Sequence, residues 1–139
     1  MAYTHTQYQV NLTATALDFS TSGVVGLKWA PGYVPHVVRA FTITNTSTLG
    51  NVSSLVVSAE RRPLTATTAT AIATINGTAT GGAGITFYKN ELNATVNVGD
   101  EIQLHVSTGA TVAALCQATV WVEPKWEEPG NNTLMKATT

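Results

Sequence analysis

The side chains that could perform chemistry are few and widely separated along this chain. Three histidines, His5, His36 and His105, lie far apart, with no cysteine or carboxylate at ligand-like spacing. Zinc requires three or four converging ligands, and calcium requires several oxygen ligands in one loop. The two aspartates and six glutamates include no pair that the sequence marks for acid–base catalysis. We therefore expect no metal site and no catalytic carboxylate pair.

The nucleophile content is equally poor. Cys116 is the only cysteine, so an internal disulfide is excluded, and it falls on the apolar phase of its strand. That position favours a small buried hydrophobic residue over a reactive thiol. No glycine-rich phosphate loop and no G-x-S-x-G sequence is present. We predict a protein without enzymatic activity and without a cofactor. An enzyme with an unfamiliar pocket is the weakest alternative.

Four aromatic residues are candidates for binding instead: Trp29, Tyr33, Trp121 and Trp126. They could form a platform on which sugars stack, or Trp29 and Trp121 could help to close the sandwich while Trp126 anchors the tail. Trp121 is out of phase with the apolar Val120 and Val122, so it faces away from the core side of its strand. Such a residue is exposed in an isolated domain and covered in an oligomer. We favour contact with another subunit.

Composition limits the class of protein and its partners. The 139 residues are 44% hydrophobic but only 11% charged, with a net charge of −1. Typical domains are about 25% charged, so Thr, Ser and Asn supply most of the polar surface here. No basic stripe exists to neutralise phosphates, which argues against nucleic acid as a partner. No apolar run approaches the roughly 20 residues that span a bilayer, which argues against membrane insertion.

Alternation with a period of two dominates the chain and predicts an all-β fold. Ile102, Leu104 and Val106 share one face of a strand, and the even-numbered residues from Val112 to Val122 share another. Further runs predict about eight or nine short strands. The best architecture is a single antiparallel β-sandwich, either jelly-roll or immunoglobulin-like. We assign residues 1–123 to the sandwich and 124–139 to an extended C-terminal tail containing Trp126, and expect irregular arms at both ends.

Four stretches carry a resemblance to a known class of proteins. They are APGYVPHVVR (Ala30–Arg39), VSAERRP (Val57–Pro63), VGDEIQLHV (Val98–Val106) and ATVWVEPKWEEPGN (Ala118–Asn131). This succession, from about Gly26 to Asn131, resembles the capsid decoration (cement) proteins of tailed bacteriophages. These are small β-rich virion proteins without a catalytic signature.

The resemblance implies a structural virion protein that binds the outside of an assembled capsid and stabilises the major-capsid lattice, as a homotrimer. The major capsid protein would be its partner, and it would be made in the host cytoplasm and located on the capsid exterior. Trp29, Tyr33, Trp121 and Trp126 are the expected subunit or capsid contacts. We also expect the N-terminal segment Met1–Gln9 and the tail around Trp126 to lie against neighbours. The alternative is a carbohydrate- or receptor-binding module, such as a head fibre or tail-associated adhesin.

Overall fold

Ten β-strands and no helix make up the part of the chain that the computed structural model describes, namely residues 7–46, 55–76, 86–108 and 115–125. In chain order the strands are β1 (Tyr8–Asn11), β2 (Leu17–Asp18), β3 (Gly23–Trp29), β4 (His36–Asn45), β5 (Val56–Arg62), β6 (Thr70–Asn76), β7 (Thr86–Lys89), β8 (Ala94–Val96), β9 (Glu101–Thr108) and β10 (Leu115–Pro124).

The strands form two antiparallel sheets with jelly-roll connectivity. In the first, called the β10 sheet, β1 and β2 both pair with β10, β10 pairs with β4, and β4 pairs with both β7 and β8. In the second, the β9 sheet, the order is β3-β9-β5-β6. Successive strands cross repeatedly between the sheets, as in a jelly roll. An immunoglobulin domain has the sheets ABED and CFG, which this order does not match. The prediction of a β-sandwich is confirmed.

The core follows the alternation read from the sequence. Ile102, Leu104 and Val106 on β9 are fully buried, as are Val120 and Val122 on β10. Full burial of such a side chain contributes about 1.5–3 kcal/mol, so these two central strands supply much of the stability. The two sheets close over one continuous apolar cluster that also contains Phe19, Phe41 and Leu55.

Bulges change which side chains face the core in two places. Simple alternation would place Arg39 in phase with Val37 and Phe41, but Val38 is the residue that is fully buried. The register of β4 against β10 shifts between Trp121 and Val122, which turns Arg39 away from the core. Similarly, alternation with Ala73 and Ile75 would turn Ala71 toward the core, yet it is exposed. The cause is an extra residue, Ile72, in β6, because Ala59 pairs with Ala73 while Glu60 pairs with Ala71.

The sequence did not predict β2 and β3. Residues 17–29 contain two glycines and no clean alternation, which is why they read as a loop. Gly26 has a φ of +78°, and a Cβ there would lie 2.3 Å from the carbonyl oxygen of Leu12. The next residue, Leu27, donates its N–H to that same carbonyl at 2.8 Å. Glycine is therefore required where β3 passes closest to the end of β1.

The C-terminal boundary predicted after Glu123 falls one residue before the end of β10. Pro124 pairs with His36, and the N–H of Lys125 donates to the carbonyl of Pro35 at 2.8 Å. The predicted tail from residue 126 onward, including Trp126, lies outside the described residues. Within the ranges that are described, no helix is long and apolar enough to cross a membrane.

Candidate functional site

One end of the sandwich is closed by an aromatic cluster around His36. The Trp29 ring meets the His36 ring edge to face at 5.2 Å, and Tyr8 meets it similarly at 5.6 Å. Trp29 lies on the β9 sheet, while Tyr8 and His36 lie on the β10 sheet. This cluster therefore ties the two sheets together at the end where β1 begins and β10 finishes.

Hydrogen bonds determine the orientation of the His36 ring. Its Nδ1 lies 3.0 Å from the carbonyl oxygen of Val34, which can only accept, so Nδ1 carries a proton. Its Nε2 lies 2.7 Å from the Tyr8 hydroxyl and accepts a hydrogen bond from it. Burial raises the pKa of the Tyr8 hydroxyl, which keeps it protonated and available as the donor. The contact anchors the start of β4 and with it the loop of residues 30–35.

At the same end, Asp100 holds two further loops together. Its carboxylate accepts the backbone N–H of Leu64 at 3.1 Å and the backbone N–H of Asn97 at 3.1 Å. The Arg61 Nε donates to the same carboxylate at 2.8 Å. Burial alone would raise the pKa of Asp100, but the Asn97 N–H, the Arg61 guanidinium and the Leu64 N–H outweigh it and hold that pKa below its usual value. The loops of residues 63–69 and 97–100 are thus fixed relative to each other.

These loops present apolar side chains to solvent. Tyr33 is 98% exposed, Leu64 is 68% exposed and Val98 is 45% exposed. The Leu64 side chain packs over Gly99, where an added Cβ would lie 3.0 Å from its Cδ2. We call the surface formed by loops 30–35, 63–69 and 97–100 the loop end of the sandwich. The backbone that carries these apolar residues is held by the partly buried hydrogen bonds of His36 and Asp100.

Charged side chains lie where these loops join the strands, and they form ion pairs. Arg61 bonds to Asp100, and Arg62 forms an ion pair with Glu101. Interfaces commonly have an apolar centre surrounded by a polar rim. The loop end has both components among the residues described.

Three of the four predicted contact residues are described, and these three do not form one surface. Tyr33 lies on the loop end, while Trp29 is partly buried and packs on the core beneath it. Trp121 faces outward from the β10 sheet between Gln9 and Ala40, as its phase predicted. Trp126 lies outside the described residues. A single aromatic row shared by Trp29 and Trp121 is therefore not formed, because one faces inward and the other outward. That Trp121 contacts another subunit stays a prediction.

The described reactive groups outside this end, His105 and Cys116, occupy structural positions, while His5 lies outside the described residues. His105 faces outward from the β9 sheet, with Nδ1 at 3.2 Å from Glu60 Oε2. Cys116 is fully buried, and burial together with the nearby Asp18 carboxylate raises the pKa of its thiol to about 11. Among the described residues, no group of three or more His, Cys, Asp and Glu side chains could hold a metal ion.

The sequence did not identify Leu64, Val98 or the role of Asp100. Asn97–Asp100 has the composition of a turn, but Asp100 also bonds to Arg61 and Leu64, which lie more than thirty residues away. An acid in a turn that precedes a strand is common. Its long-range bonds leave no local pattern in the sequence.

Comparisons with known proteins show no family and include a distant structural likeness. No protein-family model matches the chain, and no curated protein matches it. Among solved structures, the chain is similar to one described as the structure of infectious bursal disease virus Gx strain, with a TM-score of 0.42 and 13% sequence identity. The match covers 92% of this chain and 34% of that chain, so this chain spans about a third of its length.

Proposed function

We propose that this protein is a structural virion component that binds the outside of an assembled bacteriophage capsid and stabilises the major-capsid lattice. The observation that carries the proposal is the loop end, where Tyr33, Leu64 and Val98 are exposed on loops that Asp100 and His36 hold in place. The loop end would contact the lattice, and the major capsid protein would be the partner.

The physical argument is pre-organisation. Binding normally costs roughly 0.5–1.5 kcal/mol for each flexible side chain that becomes ordered, and more when a loop must be ordered too. Here the backbone N–H of Leu64 is already bonded to a buried carboxylate, and its side chain already rests on Gly99. Tyr, Trp and Arg are the side chains found most often as anchors at the centre of an interface, so Tyr33 is the expected anchor of the loop end. Leu64 offers a further apolar contact whose position needs little ordering.

The same geometry argues against catalysis at this end. The two carboxylates there, Asp100 and Glu101, are both paired with arginines. The only imidazole of the aromatic cluster, His36, is buried between two aromatic rings and has both nitrogens in hydrogen bonds. A general acid or base must be able to reach a substrate. We therefore propose a binding role and no enzymatic activity.

The architecture and surface chemistry fit a virion protein. Jelly rolls recur in viral capsid proteins and in lectins. The outer face of the β10 sheet is broad and rich in uncharged polar groups, including Thr42, Thr44, Gln117 and Thr119. Low charge suits wide contacts with weakly polar neighbours. The homotrimer and the location on the capsid exterior are proposals that rest on the resemblance to decoration proteins.

The test is co-sedimentation with capsids purified from the virus whose genome carries this chain and stripped of accessory proteins. We expect saturable binding and a higher melting temperature of the capsid. Tyr33→Ser and Leu64→Ser should each weaken binding about tenfold or more, since truncating an interface anchor typically costs over 1 kcal/mol. Leu115→Ser is the matched control, because Leu115 is 45% exposed at the opposite end of the sandwich.

Light scattering on the free protein tests the homotrimer separately. A trimer has three times the 14.6-kDa mass of the chain.

Equal loss of capsid binding in Leu64→Ser and Leu115→Ser would remove the loop end from the proposal. Failure of the unmodified protein to bind capsids, or its assembly into closed shells by itself, would contradict the decoration role as a whole.

A further inference from the structure

The outer face of the β10 sheet contains a depression of about 470 Å³ near the end of β10. Gln7, just before β1, lines one side, and the Asn90–Asn93 segment between β7 and β8 lines the other. Arg39 and Ala40 of β4 contribute the remaining lining. The depression is separate from the loop end, because it opens on the face of the sheet and not on its connecting loops.

An ion pair supports the lining side chains. The Arg39 Nε donates to Glu123 Oε1 at 2.6 Å, and a second guanidinium nitrogen also contacts that oxygen. The Arg39 NH1 donates to Asn93 Oδ1 at 3.0 Å. A guanidinium has five N–H groups, so these three contacts leave donors free. Because its Oδ1 accepts from Arg39, Asn93 directs its NH₂ elsewhere, as a second potential donor.

The loop on one side is held in an unusual conformation. Glu91 has a φ of +57°, and it is the non-glycine residue with positive φ among those described. Such a conformation is uncommon for residues other than glycine and persists where the surroundings impose it. The adjacent Leu92 donates its N–H to the carbonyl of Arg39 at 3.0 Å. This bond holds the polar side of the depression against β4.

Among the described residues around the depression, the charges balance. Arg39 and Lys125 are opposed by Glu91 and Glu123. Lys125 also bonds to Thr95 at 3.5 Å. A phosphate or sulfate ligand would require an excess of positive charge, which is missing here. The side-chain amides of the lining residues supply donors and acceptors, and the free N–H groups of Arg39 supply further donors. This combination suits a neutral ligand with several hydroxyl groups.

An aromatic ring lies beside these polar groups. Along β10, Trp121 and Glu123 both face outward, with the inward-facing Val122 between them. The cross-strand partner of Trp121, Ala40, lines the depression. An indole ring offers a flat apolar surface, which is the complement of the apolar face of a pyranose ring. We propose that this depression binds a neutral oligosaccharide, with Asn93, Gln7 and Arg39 bonding hydroxyl groups and Trp121 stacking on the sugar. This would add glycan binding to the lattice binding proposed above.

The test is a printed array of neutral, sialylated and sulfated oligosaccharides from bacterial, plant and animal sources, probed with the labelled protein. We expect retention on neutral glycans and little on the anionic ones. The strongest ligand is then titrated by calorimetry. Asn93→Ala, Gln7→Ala and Trp121→Ala should each weaken binding about tenfold, the effect of losing roughly one good polar or stacking contact.

Gln117→Ala is the matched control, because Gln117 is exposed on the same face but lies six residues from Glu123 along β10, about 20 Å away. It should leave glycan affinity unchanged. Retention of no glycan, preference for anionic glycans, or equal effects of Gln7→Ala and Gln117→Ala would each overturn the proposal. Gln7 is exposed outside the strands, so its variant remains informative even where another variant fails to fold. Capsid binding is measured separately, so either proposal can fail without the other.

Discussion

Asp100 shows how one side chain can organise a surface that it does not itself present. It is only 4% exposed, yet it bonds to Arg61 on β5 and to Leu64 and Asn97 in two different loops. A buried carboxylate is stable only when hydrogen bonds and opposite charge compensate for its desolvation. The loop end therefore depends on this residue for its shape.

Replacing Asp100 with Asn should lower the free energy of unfolding at pH 7 by about 1–3 kcal/mol, because a charge-assisted hydrogen bond to Arg61 is lost. The folded-state pKa of Asp100 is lowered, so its stabilisation is fully present above the unfolded pKa of about 4 and disappears as the pH falls through the folded value. Urea unfolding at pH 7 and below pH 3 should thus show a difference between wild type and D100N that shrinks in acid. A difference that is independent of pH would show that the ion pair contributes nothing.

Cys116 should behave as a protected thiol. With a pKa of about 11, only about one thiol in a thousand is ionised at pH 8, and the side chain is fully buried. We expect Ellman's reagent to label the native protein far more slowly than the urea-unfolded protein. Equal labelling rates in the two states would mean that β10 opens readily near Leu17 and Asp18.

At the scale of the elements, β3 depends on the glycine that lets it approach β1. Gly26→Ala forces a Cβ into the Leu12 carbonyl and places alanine at positive φ. We expect a loss of about 2–4 kcal/mol in the free energy of unfolding, from strain and overpacking together. Gly32→Ala is the control, because nothing lies within 4 Å of its added Cβ and no positive φ is involved. Thermal unfolding of both variants compares them directly, and equal melting temperatures would contradict the close approach.

The regularity with which apolar and polar residues alternate in a strand determined how well that strand could be predicted. β9 and β10 alternate cleanly, so their core faces were predicted correctly from the sequence. In β4 and β6, bulges shift the phase, and a bulge is a property of two paired strands that one strand does not reveal. The choice of jelly roll over immunoglobulin topology likewise depends on long-range pairing, such as β1 with β10.

The candidate site could be predicted only in part, for a related reason. Tyr33 and Trp121 were identified because aromatic residues stand out in a weakly charged sequence, and the phase of Trp121 indicated its outward orientation. Leu64 and Val98 resemble ordinary loop residues, and their significance comes from the Asp100 bonds that fix the loops bearing them. The depression near Arg39 also depends on a bulge, since the bulge is what turns that side chain outward to meet Glu123.

At the scale of the whole molecule, the sandwich has two surfaces with different chemistry. The loop end is apolar and rigidly supported, with exposed Tyr33, Leu64 and Val98. The outer face of the β10 sheet is polar, and its depression lies beside Trp121. A protein attached to a capsid by one surface leaves the other open to the surroundings. Lattice binding and glycan binding are therefore geometrically compatible.

The most direct test is a cryo-electron microscopy reconstruction of stripped capsids saturated with this protein. We predict added density on the outside of the shell, into which the jelly roll fits with loops 30–35, 63–69 and 97–100 against the lattice. Three copies should surround each occupied position. Density inside the shell, continuous with the shell wall, or attached through the opposite end of the sandwich would contradict the account.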